Sequence, residues 1–285
     1  MGKALKLERT DRKGRQIHAW LAAARLYLLP SVLLGGYTLV MRALTAFLPI
    51  FLDHSGLVQA QIAALMALFP AVRVLMAFPF GVVADALSPK RAAISGLALF
   101  GLSTLAMWGV EGFGATLSLL ALAAIGGSLF QVTCQALYFK SLGRRGRGKK
   151  VALLGSATSL SYGLGPLAAG FLLKLAGLEA LFPFCASLLL PFLLLSLGLR
   201  DTEPARLSLS DYRRDFLRKE VLIFVAAVLL YGMHIGVENV CLSLFLKRNL
   251  GLSEEVIGLA FFLICALLSG ATFAGGFLAD KYRNP

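Results

Sequence analysis

Three ionisable side chains stand inside otherwise apolar runs of this 285-residue chain: Arg42, Arg73 and Glu238. A charge near the middle of a bilayer-length segment costs on the order of 3 kcal/mol or more, and such residues face a cavity or a partner. Helical spacing gives them polar company. Thr38, Arg42 and Thr45 share one face, as do Gln131 and Gln135, and as do Tyr231, His234, Glu238 and Cys241. Stripes of this kind either line a solute path or bond helices together. Two arginines at such depth point to a solute with an anionic group. A carboxyl as deep as Glu238 favours its neutral form unless a cation offsets it, which makes it a proton carrier in principle. Arg73 either joins the same path or ties its own segment to a neighbour. His234 and Glu238 stand at i and i+4 and could give two metal ligands, but no third is apparent, so no metal site is expected. The four cysteines, Cys134, Cys185, Cys241 and Cys265, lie in apolar runs without ligand spacing. With no HExxH, GxSxG or phosphate loop, the chain offers no catalytic residues, and neither enzymatic activity nor a cofactor is expected.

The elements that hold these residues follow from composition. Hydrophobic residues make up 58% of the chain and charged residues 15%, with a mean hydropathy of +0.78. Soluble domains carry about 25% charged residues, so the class is a polytopic, all-α membrane protein. Disorder and a disulfide scaffold are excluded. Eight stretches approach or exceed the ~20 apolar residues that a crossing needs: 27–52, 62–84, 92–110, 115–139, 151–173, 180–199, 221–246 and 256–279. Arg42 then lies ~15 Å and Glu238 ~12 Å from the nearer end of its span, at 1.5 Å per residue.

The charge distribution orients the spans. Of the 28 basic residues, 23 fall on the side of the N-terminus, and only Lys174, Lys247 and Arg248 fall on the other. The positive-inside bias places the N-terminus and the even-to-odd loops in the cytoplasm of a cell (inner or plasma) membrane. The net charge of +13 is thereby a topology signal, and nucleic acid is not expected as a partner. The first apolar stretch begins too late for a secretory signal, and residues 16–25 read as a short interfacial helix.

One stretch is soluble-like, the charged run 200–220, which separates six spans from two. An internal repeat agrees with this division. Residues 56–85 laid on 251–280, an ungapped offset of 195, share nine identities in thirty, including Gly56/Gly251, Gly81/Gly276 and Asp85/Asp280. The expected organisation is a tail over 1–26, a six-span half over 27–199, a cytoplasmic tether over 200–220, and the first two spans of a second half over 221–285. The offset sets Arg42 beside Glu238, since Arg42 aligns with Val237.

At this point the chain resembles the major facilitator superfamily. The resemblance rests on GVVADALSPKR (Gly81 to Arg91) and GFLADKYRNP (Gly276 to Pro285), at equivalent places after the second and eighth spans. The family pattern is roughly G-x-x-x-D-(R/K)-x-G-(R/K)-(R/K). Gly81, Asp85, Lys90 and Arg91 follow it, while Ala86, Ser88 and Pro89 depart from it; the second copy keeps Gly276, Asp280 and Lys281. Span 5 contains SYGLGPLAAG, whose Gly165, Pro166 and Gly170 are similar to a glycine-proline helix-packing pattern of many family antiporters. The resemblance implies a secondary active transporter that moves a small solute by alternating access, with a proton as coupling ion and spans 1, 4 and 7 lining the path. The fourth span lacks the arginine of drug-exporting relatives, although a drug-type antiporter is the alternative within the class. A non-transporting membrane protein is the alternative outside it. Because members have two six-span halves, the resemblance also implies a full length of roughly 390–400 residues, with four spans beyond Pro285.

Overall fold

The computed structural model describes residues 27–86, 88–110, 112–142, 147–201 and 218–282. The side chains of residues 220, 224, 228, 229, 231–240, 279, 280 and 282 are outside that description. The expected interfacial helix at 16–25 and most of the 200–220 tether lie outside the described residues.

Eight α-helices run through the described residues: α1 (Leu29–His54), α2 (Gln59–Ala86), α3 (Pro89–Ala106), α4 (Phe113–Ser141), α5 (Arg147–Ala176), α6 (Leu181–Ser196), α7 (Lys219–Arg248) and α8 (Glu254–Tyr282). Each coincides with one of the eight apolar stretches. The chain is a multi-pass membrane protein of all-α class. Taken singly, α1, α2, α4, α6 with its preceding turn, and α8 are long and apolar enough to cross a membrane. The basic start of α3 and the basic, glycine- and serine-rich α5 dilute their apolar content.

Local chemistry sets the helix ends. At the start of α3, Ser88 is the N-cap, its hydroxyl accepting the Arg91 N–H at 3.2 Å, and Pro89 follows with its φ already helical. Short turns join α1 to α2, α3 to α4, α5 to α6 and α7 to α8, and we call the end of the bundle that carries them the short-turn face. The opposite end, with the α2–α3 and α4–α5 loops, is the basic face.

The hairpins α1–α2 and α7–α8 repeat one another in detail. Both turns hold a glycine in the left-handed region, Gly56 (φ 80°) and Gly251 (φ 62°), where a side chain would be strained. The second helix starts at Gln59 in one and Glu254 in the other, again 195 apart. The Ile62 N–H to Val58 carbonyl bond recurs as Ile257 to Ser253.

Packing separates the helices. α1 lies at the centre, buried along almost its whole length and touching α2, α4, α5, α6 and α7. α3 packs on α4 and α6, α2 on α4, and α8 on α5. Tyr37 of α1 meets Phe100 of α3 and Phe130 of α4 with ring centroids 5.2 and 5.1 Å apart, which fixes the middle of the six-helix unit.

Candidate functional site

Arg42 is the deepest charge among the described side chains, only 4% exposed at the middle of α1. Its guanidinium carbon lies 4.8 Å from the centre of the Tyr162 ring on α5 and 5.8 Å from that of Phe261 on α8. The cation therefore sits where helices from both sides of the tether meet α1. Stacking employs the flat face of a guanidinium, while its N–H donors project from the edge in a fork that matches a carboxylate or phosphate. Thr38 and Thr45, on the same face, are buried; Thr38 donates to the Leu34 carbonyl at 2.6 Å, and the Thr45 hydroxyl leans on the Met41 sulfur at 3.9 Å.

Tyr162 and Phe261 are the site residues that sequence reasoning missed. Tyr162 lies inside the SYGLGPLAAG run, but nothing in an apolar segment marks which aromatic will meet a cation. The packing of that run explains how the rings arrive there. Gly165 faces α1 at Leu39 and Ala43, Gly170 faces the first turn of α8, and the Pro166 carbonyl meets Gly258. A Cβ on Gly163 would stand 2.8 Å from the Phe262 Cα, and one on Gly258 only 2.6 Å from the Pro166 oxygen. Bare backbone at these positions lets α5 sit tightly between α1 and α8, as small residues do in membrane bundles. Further along, Ser156 and Ser269 each donate to the other's carbonyl, at 3.1 and 2.9 Å.

Arg73 of α2 donates to the side-chain oxygen of Gln131 on α4. This bond joins α2 to α4 and brings Arg73 and Gln131 together. Gln135, one turn on, is half-buried. Tyr231, His234 and Glu238 all belong to α7, which packs on α1, but their side chains lie outside the described residues. Cys241 is exposed, whereas Cys134, Cys185 and Cys265 are buried thiols. Among the described residues no group of His, Cys, Asp and Glu has the geometry to hold a metal.

On the basic face the first loop motif is tied down. Asp85, four residues after Gly81, forms an ion pair with Lys140 at the end of α4 (2.7 Å). Ser88 donates to the Asp201 carboxylate, the Lys90 N–H approaches the same carboxylate at 3.4 Å, and the Lys90 ammonium donates to the Leu197 carbonyl at 2.7 Å. The loop thus binds the start of the tether to α3, a contact absent from the sequence reading. Arg91 is exposed. In the second copy Gly276 presses on Ala152 of α5 and Lys281 is exposed, while the Asp280 side chain lies outside the described residues.

On the short-turn face, ion pairs cross between the hairpins. Arg248 at the end of α7 binds Asp53 at the end of α1 through two of its three nitrogens, Nε and Nη2, with Nε 3.0 Å from Oδ2. These two positions are 195 apart, so the pair joins equivalent places in the repeat. Lys174 of α5 pairs with Glu255 of α8, and Lys247 with Glu254, each at 2.7 Å.

A family model for the Major Facilitator Superfamily matches residues 31–285. Among solved structures, the chain is similar to a mutant of the peptide transporter POT in complex with sulfate. The identity is 17% and the TM-score 0.54, over 92% of this chain and 56% of that one. The likeness is one of fold, and the present chain spans little more than half the length of that transporter. No curated protein matches. Eight helices in two unequal sets, a loop motif repeated at an offset of 195, and a family match across nearly every described residue lead to one conclusion: the chain belongs to the major facilitator superfamily.

Proposed function

We propose that the chain serves a secondary active transporter that moves a small solute with an anionic group by alternating access, with a proton as coupling ion. The observation that carries this reading is Arg42, a buried cation held between rings of α5 and α8 at the centre of the bundle. Stacking against the aromatic faces orients the guanidinium, whose fork of edge N–H donors matches an anionic group. To the same path we assign Glu238, Tyr231 and His234 of α7, Gln131 and Gln135 of α4, and Arg73 of α2. Protonation of Glu238 alternates with the approach of Arg42, which links proton movement to rocking of the six-span half (27–199) against the span 7–8 unit (221–285). The loop-motif residues gate the basic face. The N-terminus and tether are cytoplasmic, and the membrane is the inner or plasma membrane.

The test begins with binding. Purified protein is screened by thermal shift against small carboxylates, phosphates and sulfate, the last because the structural neighbour was solved with that anion. A saturable rise in melting temperature that disappears in Arg42→Gln supports the reading. An unchanged rise in that variant removes Arg42 from the site. For coupling, Glu238→Gln in proteoliposomes should abolish proton-driven accumulation while leaving exchange measurable. Orientation has its own check: a cysteine at Ser208 should resist impermeant thiol reagents in intact cells, and ready labelling reverses the topology.

A further inference from the structure

At the short-turn face of the six-helix unit, away from Arg42, the turns α1–α2, α3–α4 and α5–α6 enclose an open bowl of about 730 Å³. Its wall carries Phe51, His54, Trp108, Thr116, Glu179 and Phe182. Phe51 and Phe182 stack edge to face with centroids 4.8 Å apart, while Trp108 is 59% exposed. An exposed tryptophan offers a ring face on which a flat or quaternary ligand can rest.

The sign of charge that the bowl attracts follows from the ion pairs around it. The three basic residues of this face are each bound to a carboxylate: Lys174 to Glu255, Lys247 to Glu254 and Arg248 to Asp53. Glu179 has no counter-ion among the described residues, and it lines the bowl. Helix dipoles do not reverse this balance. The C-termini of α1, α3 and α5 and the N-termini of α2, α4 and α6 all reach this end, so their partial charges cancel to first order.

We propose that this bowl is a second binding site, for a small organic cation whose ammonium group meets Glu179 and whose apolar body rests on Trp108 and the partly exposed Phe51, with the buried Phe182 behind it. The volume lies within the ~300–1,000 Å³ of small-molecule sites. One carboxylate beside an exposed indole face at an open bowl is the chemistry that recognises an ammonium by charge and by cation–π attraction. It is opposite in sign to the Arg42 site and stands independently of it.

The chain has two tryptophans, so Trp20→Phe leaves Trp108 as the sole reporter. Its emission in nanodiscs is titrated with benzyltrimethylammonium, and separately with benzenesulfonate, an anion of similar ring size. Saturable quenching by the cation alone is expected, weakened about fivefold in Glu179→Gln, an exposed position where folding should be kept and is checked by circular dichroism. The Trp108→Phe protein, which reports only Trp20, should show no saturable response. Equal quenching by benzenesulfonate overturns the proposal. So does an unchanged affinity in Glu179→Gln, or saturable quenching of Trp20 alone.

Discussion

The α1–α2 and α7–α8 hairpins are written in the same local code and end in different company. Both turn on a left-handed glycine, both start their second helix at equivalent positions, and both carry G-x-x-x-D at its end. Both second helices leave much of their length exposed, yet α2 packs on α4 and is tied to it by Arg73, whereas α8 lies along α5. The motif glycines make the contrast plain. A Cβ on Gly81 would meet nothing within 4 Å, while the same addition to Gly276 collides with Ala152. Gly258, against the Pro166 carbonyl, has Ala63 as its counterpart on α2. The repeat therefore encodes a hairpin, and the contacts of each copy decide which glycine is indispensable.

The largest effect should come from filling the α5–α8 contact. Gly258→Leu forces backbone apart and should cost about 3 kcal/mol or more, whereas Gly270→Leu or Gly275→Leu, which face open space, should lie within about 0.5 kcal/mol. Gly276→Leu against Gly81→Leu is the same experiment across the repeat. Thermal unfolding in detergent measures both, and equal losses at Gly81 and Gly276 would break the comparison.

Next in size is Arg42. Arg42→Gln removes two ring contacts from a desolvated cation, worth about 2 kcal/mol, and should lower the melting temperature in parallel with the loss of anion stabilisation. Tyr162→Leu should reproduce about half of the thermal loss. If it leaves both properties untouched, the stacking is incidental.

The Asp53–Arg248 pair is half-exposed, with side-chain exposures of 29% and 47%, so each single neutralisation should cost about 1 kcal/mol or less. Its sharper readout is geometric. Spin labels at Val58 and Ser253, equivalent turn positions, should give one narrow distance that broadens in Arg248→Gln and narrows again in the charge-reversed double variant Asp53→Arg with Arg248→Asp. A distribution indifferent to all three variants shows that the pair does not hold the hairpins together. Smallest is Asp85–Lys140, a single ion pair at the membrane edge: Asp85→Asn should change stability by about 0.5 kcal/mol, and less at high salt.

Much of this was legible before any coordinates. The eight helices follow from apolar length, their division from the charged run at 200–220, and the repeat from Gly56, Gly81 and Asp85 with their counterparts. Arg42 stood out because a charge in an apolar run is costly wherever the run folds into a membrane. These properties are local, since a segment carries its hydropathy, its turn glycine and its charge wherever it lies.

Partners are not local. Tyr162 and Phe261 reach Arg42 from helices 120 and 219 residues away in sequence, and an aromatic among apolar residues carries no mark of the face it will present. Asp85 was visible as a motif residue, but its pairing with Lys140 required α2 and α4 to lie side by side. Arg73 and Gln131 were each visible as polar residues in apolar runs, and only the packing of α2 on α4 made them partners. The opposite charges at Asp53 and Arg248 were readable one by one, and only the meeting of two repeat-related helix ends made them a pair. Sequence by itself determined which segments become helices and where charge would be costly, because both depend on transfer from water to an apolar medium. Tertiary structure alone decided which costly groups share a site, because that depends on close packing across helices, where a single glycine sets which faces can touch.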